Sequence, residues 1–123
     1  MILYDTSALF ERISKGSADK EGFILDLTVY EIGNVLWKQA FKTKAISKSD
    51  AESILEVVNL WERIIRVSPD DEKGIFKVCE TTGLTFYDAA YIHFSKKYGL
   101  ELYTCDKKLY TAGKRMKIKV KLE

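Results

Sequence analysis

Short apolar runs and longer amphipathic stretches take turns along this chain. Ile2–Tyr4, Phe23–Leu25, Arg63–Val67, Leu100–Thr104 and Ile118–Val120 are brief, carry aliphatic, β-branched or aromatic residues, and read as strands. Between them the apolar positions recur at helical spacing. Ala8, Leu9 and Ile13 outline a brief helix behind Asp5, Thr6 and Ser7. Val29, Ile32, Leu36 and Ala40, with Val35 beside them, form one face of a helix from Thr28 to about Thr43. Ala51, Ile54, Leu55, Val58 and Trp61 mark another, from Ser47 to about Trp61. Few residues join these two, which predicts an antiparallel helical hairpin. Ile75, Val78 and Cys79 stripe a helix after Pro69, and Thr85–Gly99 and Lys107–Gly113 complete the helical set.

Capping chemistry sharpens the boundaries. Thr28 with Glu31, and Thr85 with Asp88, have capping-box spacing, and Ser47 is a good N-cap. Pro69 suits a first helical turn, with Asp70, Asp71 and Glu72 at the positive end of the dipole. Gly83 and Gly99 supply left-handed stops, and Lys96 and Lys97 suit the last turn before Gly99. Gly16, Ser17 and Gly22 mark a loop. Strands alternating with helices indicate an α/β fold with a mainly parallel sheet. The hairpin interrupts that alternation, so strand order is not legible.

Composition narrows the class. At 123 residues, 46% hydrophobic and 31% charged, the chain is expected to form a single globular domain over 1–123. No apolar run approaches the ~18 residues of a membrane span, and the start lacks a secretory leader, so a cytoplasmic protein with no membrane contact is expected. Cys79 and Cys105 make no metal-ligand spacing and are read as buried free thiols. Twenty Lys and Arg against eighteen Asp and Glu leave +2, so net charge names no partner. The C-terminal run of Lys107, Lys108, Lys114, Arg115, Lys117, Lys119 and Lys121 is basic and suits either a solvated face or a polyanion.

Four acids stand out by position. Asp5 and Asp106 each follow a strand, while Glu31 and Asp88 each fall in the first turn of a helix. In a parallel sheet, strand ends and helix starts share one edge. Carboxylates crowded there repel by about 3 kcal/mol per pair at about 5 Å and an effective dielectric near ~20. A cation relieves that repulsion; otherwise some carboxyls must stay protonated. All-oxygen ligands favour Mg²⁺ or Mn²⁺ over Zn²⁺. Helix capping explains the same positions without any metal, and spacing leaves both readings open.

Leu3-Tyr4-Asp5-Thr6-Ser7-Ala8-Leu9 resembles the opening strand and first acid of PIN-domain nucleases. Glu31-Ile32-Gly33-Asn34-Val35-Leu36 resembles their second motif, Phe86-Tyr87-Asp88-Ala89-Ala90-Tyr91 the third, and Leu102-Tyr103-Thr104-Cys105-Asp106-Lys107-Lys108-Leu109 the fourth. The order is that of the family, and the likeness is greatest to its VapC-like toxin branch, in small archaeal forms. The resemblance implies a three-layer α/β/α sandwich and a Mg²⁺- or Mn²⁺-dependent ribonuclease, often a homodimer, inhibited by an antitoxin protein. It makes Asp5, Glu31, Asp88 and Asp106 the metal ligands, direct or through water. Thr6, Ser7 and Thr104 match hydroxyl positions, with Thr104 suited to orienting a carboxylate or water. Where some relatives carry a further acid after the fourth motif, this chain has Lys107 and Lys108.

A metal fits phosphodiester hydrolysis, since it counters charge and activates water. Lys38, Lys42, Lys107, Lys108, Lys114 and Arg115 are candidates for substrate phosphates. Tyr4, Tyr87, Tyr91 and Tyr103 suit core and rim positions better than base stacking, and His93 is off the line of Asp88's helical neighbours. The rival is a catalytically silent module that binds RNA or protein, its acids serving only as caps. A receiver-type phosphotransfer domain lacks its acidic pair at Asp5-Thr6, and an Asp-x-Asp phosphatase fails because position 7 is Ser.

Overall fold

A computed structural model describes residues 1–123. Its strands are β1 (Ile2–Tyr4), β2 (Ile24–Leu25), β3 (Ile64–Ile65), β4 (Glu101–Thr104) and β5 (Val120–Leu122). The helices are α1 (Thr6–Ser14), α2 (Asp26–Trp37), α3 (Lys48–Asn59), α4 (Pro69–Thr82), α5 (Phe86–Tyr98) and α6 (Lys107–Arg115), and a π-helical turn at Lys38–Lys42 extends α2. All strand pairs are parallel: β1 with β4, β4 with β5, and β2 with β3. Phe23 bridges Leu3 in the same sense. The strands therefore form one layer ordered β3-β2-β1-β4-β5, with every C-terminal end at the same edge.

Period-two alternation gives this layer two apolar faces. Leu3, Leu25 and Leu102 pack with Ile75 and Val78 of α4, Ala90 and Phe94 of α5, and Leu109 of α6. Tyr4 and Ile24 point the other way, onto Leu9 of α1, Ile32 and Leu36 of α2, Ala51 and Val58 of α3, and Trp61. Two cores on one sheet make the α/β/α sandwich. Each fully buried Leu, Ile or Phe contributes about 1.5–3 kcal/mol. No helix is long and apolar enough to cross a membrane.

Two local devices hold the halves. The indole of Trp61 donates to the Gly22 carbonyl at 2.9 Å. A Cβ at Gly22 would lie 2.7 Å from the Tyr4 ring, so glycine is required there. On the other face, Asp71 is only 3% exposed. It accepts from Lys97 at 2.7 Å and from the Ser68 hydroxyl at 2.9 Å, and contacts His93 Nε2 at 3.0 Å. The Lys97 bond, ahead of those from His93 and Ser68, holds the Asp71 carboxyl well below the usual range. His93 thus fastens α5 to α4 and stands apart from the acidic edge.

Several expectations need correction. Helix α2 starts at Asp26, so Thr28 is its third residue, and the Thr28 hydroxyl accepts the Leu25 N–H at 3.3 Å. Glu31 therefore sits in the second turn of α2, not the first. Strand β5 begins at Val120 because α6 runs to Arg115 and Lys117 adopts a left-handed φ of 60° before the chain extends. Cys79 is half-buried and Cys105 is exposed; both are free.

Candidate functional site

Strands β1 and β4 are parallel neighbours, with Tyr4 opposite Tyr103. Their ends deliver Asp5 and Thr104 side by side. Asp5 caps α1, accepting the Ala8 N–H at 2.8 Å and the Ser7 hydroxyl at 2.7 Å on Oδ1. Its Oδ2 accepts from the Thr104 hydroxyl. At 5% exposure Asp5 is a buried acid. Burial pushes its carboxyl up to about 6, while Thr104, Ala8 and Ser7 pull the other way and Asp88 adds a further upward push.

Asp106 caps α6 through the Lys108 N–H at 2.8 Å, and its own N–H donates to the Thr104 hydroxyl at 3.0 Å. Glu31 projects from α2, where Oε1 accepts from Thr6 at 2.8 Å and from the Tyr91 hydroxyl at 2.9 Å. The Tyr91 hydroxyl also lies 2.6 Å from that of Thr28. Tyr91 follows Asp88 by three residues, so both fall on one side of α5. Burial raises the Asp88 carboxyl, helped by Asp106 and Glu31 and opposed by Lys108.

Asp5, Glu31, Asp88 and Asp106 all line one open cleft of about 490 Å³, together with Thr6 and Ser7. Four acids from four separate elements meet there. Helix caps alone account for Asp5 and Asp106. They do not account for Glu31, whose carboxylate is held toward the cleft by hydroxyls of α1 and α5.

Other assigned residues fall differently. Thr104 is fully buried and lies behind Asp5. Lys38 and Lys42 do not reach the cleft wall, and the Lys42 ammonium sits 5.3 Å from the Trp37 ring centroid. Lys107 and Lys108 stand beyond Asp106, with Lys108 near enough to act on Asp88. Tyr91, 1% exposed, is no stacking platform. It is the hub of the Glu31 network, a part that sequence reasoning missed. Asn34 and Tyr91 both line the cleft and both follow an assigned acid by three residues on its helix. That helical offset was the signal available.

No three carboxylate, imidazole or thiol groups close into a ready-made metal cage. The donors facing the cleft are oxygens, two of the acids are pushed toward protonation, and no lysine lines the space to neutralise them. Such a set fits a Mg²⁺-like ion that keeps several of its waters and takes few direct protein ligands.

The family model described as PIN domain matches residues 2–115. The chain belongs to the PIN-domain family. It is 35% identical over 91 residues to Exonuclease VapC9 of Pyrobaculum aerophilum, covering 74% of this chain and 66% of that protein. To Ribonuclease VapC3 of the same organism it is 36% identical over 97 residues, covering 76% and 72%. The chain thus matches about two thirds of the first relative's length. Among solved structures, PAE2754 from Pyrobaculum aerophilum superposes with a TM-score of 0.80 at 31% identity, over 97% of this chain and 81% of that one. A toxin–antitoxin complex from Klebsiella pneumoniae shares the fold, with a TM-score of 0.60 at 18% identity over 89% and 90%.

Proposed function

We propose that this PIN-domain chain is a divalent-metal-dependent endoribonuclease, the toxin of a toxin–antitoxin pair, with Mg²⁺ or Mn²⁺ as its ion. The observation that carries the reading is the convergence of Asp5, Glu31, Asp88 and Asp106 on one cleft at the C-terminal edge of a parallel sheet. Relatives named as exonuclease and ribonuclease support the reaction class, and the complex that shares the fold supports an antitoxin partner.

The four acids are the groups that would hold the ion, directly or through water. When bound, it counters phosphate charge and makes water nucleophilic near neutral pH. Thr104 and Ser7 fix the two oxygens of Asp5, so that carboxylate faces the cleft in one orientation. Glu31 spends Oε1 on Thr6 and Tyr91 and keeps Oε2 free to take a proton from the attacking water. The water oxygen bonds to phosphorus in line as the opposite P–O bond breaks, and the departing oxygen takes a proton from solvent, which completes hydrolysis of the RNA strand.

Wild-type protein and the Asp88→Asn variant are to be compared on RNA with Mg²⁺, Mn²⁺ or chelator. Cleavage by the wild type only with metal, and its loss in a folded variant, is the expected result. Equal cleavage by both overturns the mechanism. RNA binding without any cleavage leaves the silent binding module.

A further inference from the structure

A second pocket, of about 400 Å³, adjoins the acidic cleft. Lys107, Lys108, Thr111 and Arg115 of α6 form one wall, and Thr82 and Leu84, between α4 and α5, form the other. No acid lines it. Some cations elsewhere have a carboxylate partner: Arg12 pairs with Glu123, Lys15 with Glu11, Arg63 with Glu21 and Lys97 with Asp71. Lys107, Lys108 and Arg115 have no ion-pair partner. Three cations around one pocket with no acid among them make a patch of positive potential suited to an anion.

The position of the pocket says which anion. Its two walls are the segments that deliver Asp106 and Asp88 to the cleft: α6 begins directly after Asp106, and residues 82–84 lead into the first turn of α5. Lys108 lines this pocket and lies near enough to Asp88 to act on its carboxyl. Helix α6, nine residues long, extends about 13 Å beyond the cleft. At its far end Arg115 offers a planar donor fork that matches phosphate oxygens. The Thr111 hydroxyl is exposed and free to donate, and Leu84 gives an apolar floor beside the charges.

We infer that this pocket binds a backbone phosphate of the RNA strand held in the cleft, so that the strand runs from Asp106 along α6 to Arg115. The identity of the ligand rests on the ribonuclease reading. Lys38 and Lys42, on the π-helical turn and outside both cavities, take no part in this path.

The test measures binding of a fluorescein-labelled single-stranded RNA by anisotropy across a salt series, without divalent ions. Asp88→Asn serves as the non-cleaving background. Adding Arg115→Ala is expected to weaken binding several-fold and to flatten the plot of log affinity against log salt by about 0.7, the loss of one phosphate contact. Adding Lys20→Ala, in the loop before β2, is expected to change neither. Equal behaviour of the Arg115 and Lys20 variants, or no RNA binding at all, overturns the inference. Cleavage by the wild type is scored separately. An Arg115 effect with no metal-dependent cleavage keeps the pocket and sinks the nuclease; cleavage with no Arg115 effect does the reverse.

Discussion

Thr104, 99 positions from Asp5 in sequence, donates its hydroxyl proton to Oδ2 of that buried acid. The same hydroxyl accepts the Asp106 N–H at 3.0 Å. One side chain at the end of β4 thus sets the first and last acids of the cleft together. Thr104→Val removes the donor and leaves a buried carboxylate one partner short, at a cost of about 1–3 kcal/mol. Because Thr104 pulls the Asp5 carboxyl down, its loss moves that carboxyl higher. The pH below which metal binding weakens is then expected to rise in Thr104→Val and to stay near wild type in Thr104→Ser. Metal titrations across a pH series check this, and identical profiles for wild type and Thr104→Val contradict it.

Tyr91→Phe tests the second anchor. The hydroxyl it removes contacts Glu31, Thr28 and Thr6 at 2.9, 2.6 and 3.1 Å. Glu31 keeps Thr6 but loses its second donor. A drop in cleavage rate of about tenfold is expected, with the fold retained by circular dichroism. Tyr87→Phe, at an exposed ring, is expected to leave the rate unchanged. Equal rates for the two variants argue against any positioning role for Tyr91.

Acid stability hinges on Asp71. Its carboxyl titrates lower in the folded chain than the ordinary value of about 3.9, so the folded state holds fewer protons than the unfolded one in that range. The stabilisation is complete above about pH 5 and drains away as the pH falls. Asp71→Asn should lower stability at neutral pH and lessen its loss in acid. Urea midpoints between about pH 7 and about pH 3 give the comparison. Parallel curves for the two proteins would show that the Lys97 and His93 contacts contribute nothing.

Two glycines should respond with opposite sign. A Cβ at Gly74 would stand 2.5 Å from the His93 ring, whereas one at Gly33 meets nothing within 4 Å. Gly74→Ala forces the imidazole off Asp71 and is expected to destabilise by about 1–3 kcal/mol. Gly33→Ala, inside α2, is expected to stabilise by up to about 1 kcal/mol. Melting temperatures decide, and a neutral Gly74→Ala would mean that α4 and α5 are not locked at His93.

What was legible in the sequence was what local chemistry controls. Asp5 and Asp106 announce themselves as acids at the ends of strand segments, one directly and one after Cys105, and Thr85, Ser47 and Pro69 mark helix starts where the structure has them. Thr28 misled because a threonine three residues before a glutamate satisfies the capping-box pattern wherever the helix truly begins. Packing of Leu25 into the sheet moved that start to Asp26. The Tyr91 network and the Asp71 lock were illegible for another reason. They join residues 60 and 63, or 22 and 26, positions apart, and only tertiary packing brings those pairs together. Lys38 and Lys42 read as substrate contacts from charge alone, yet their π-helical turn leaves them outside the cleft.

Calorimetric titration of Mn²⁺ into metal-free protein bears most directly on the joint role of the four acids. The wild type should bind the ion. Asp5→Asn and Asp88→Asn should each weaken binding at least about tenfold, or 1.4 kcal/mol, and Asp50→Asn on the exposed face of α3 should not. Affinities that are the same in all four proteins would mean that the acids meet without holding a metal between them.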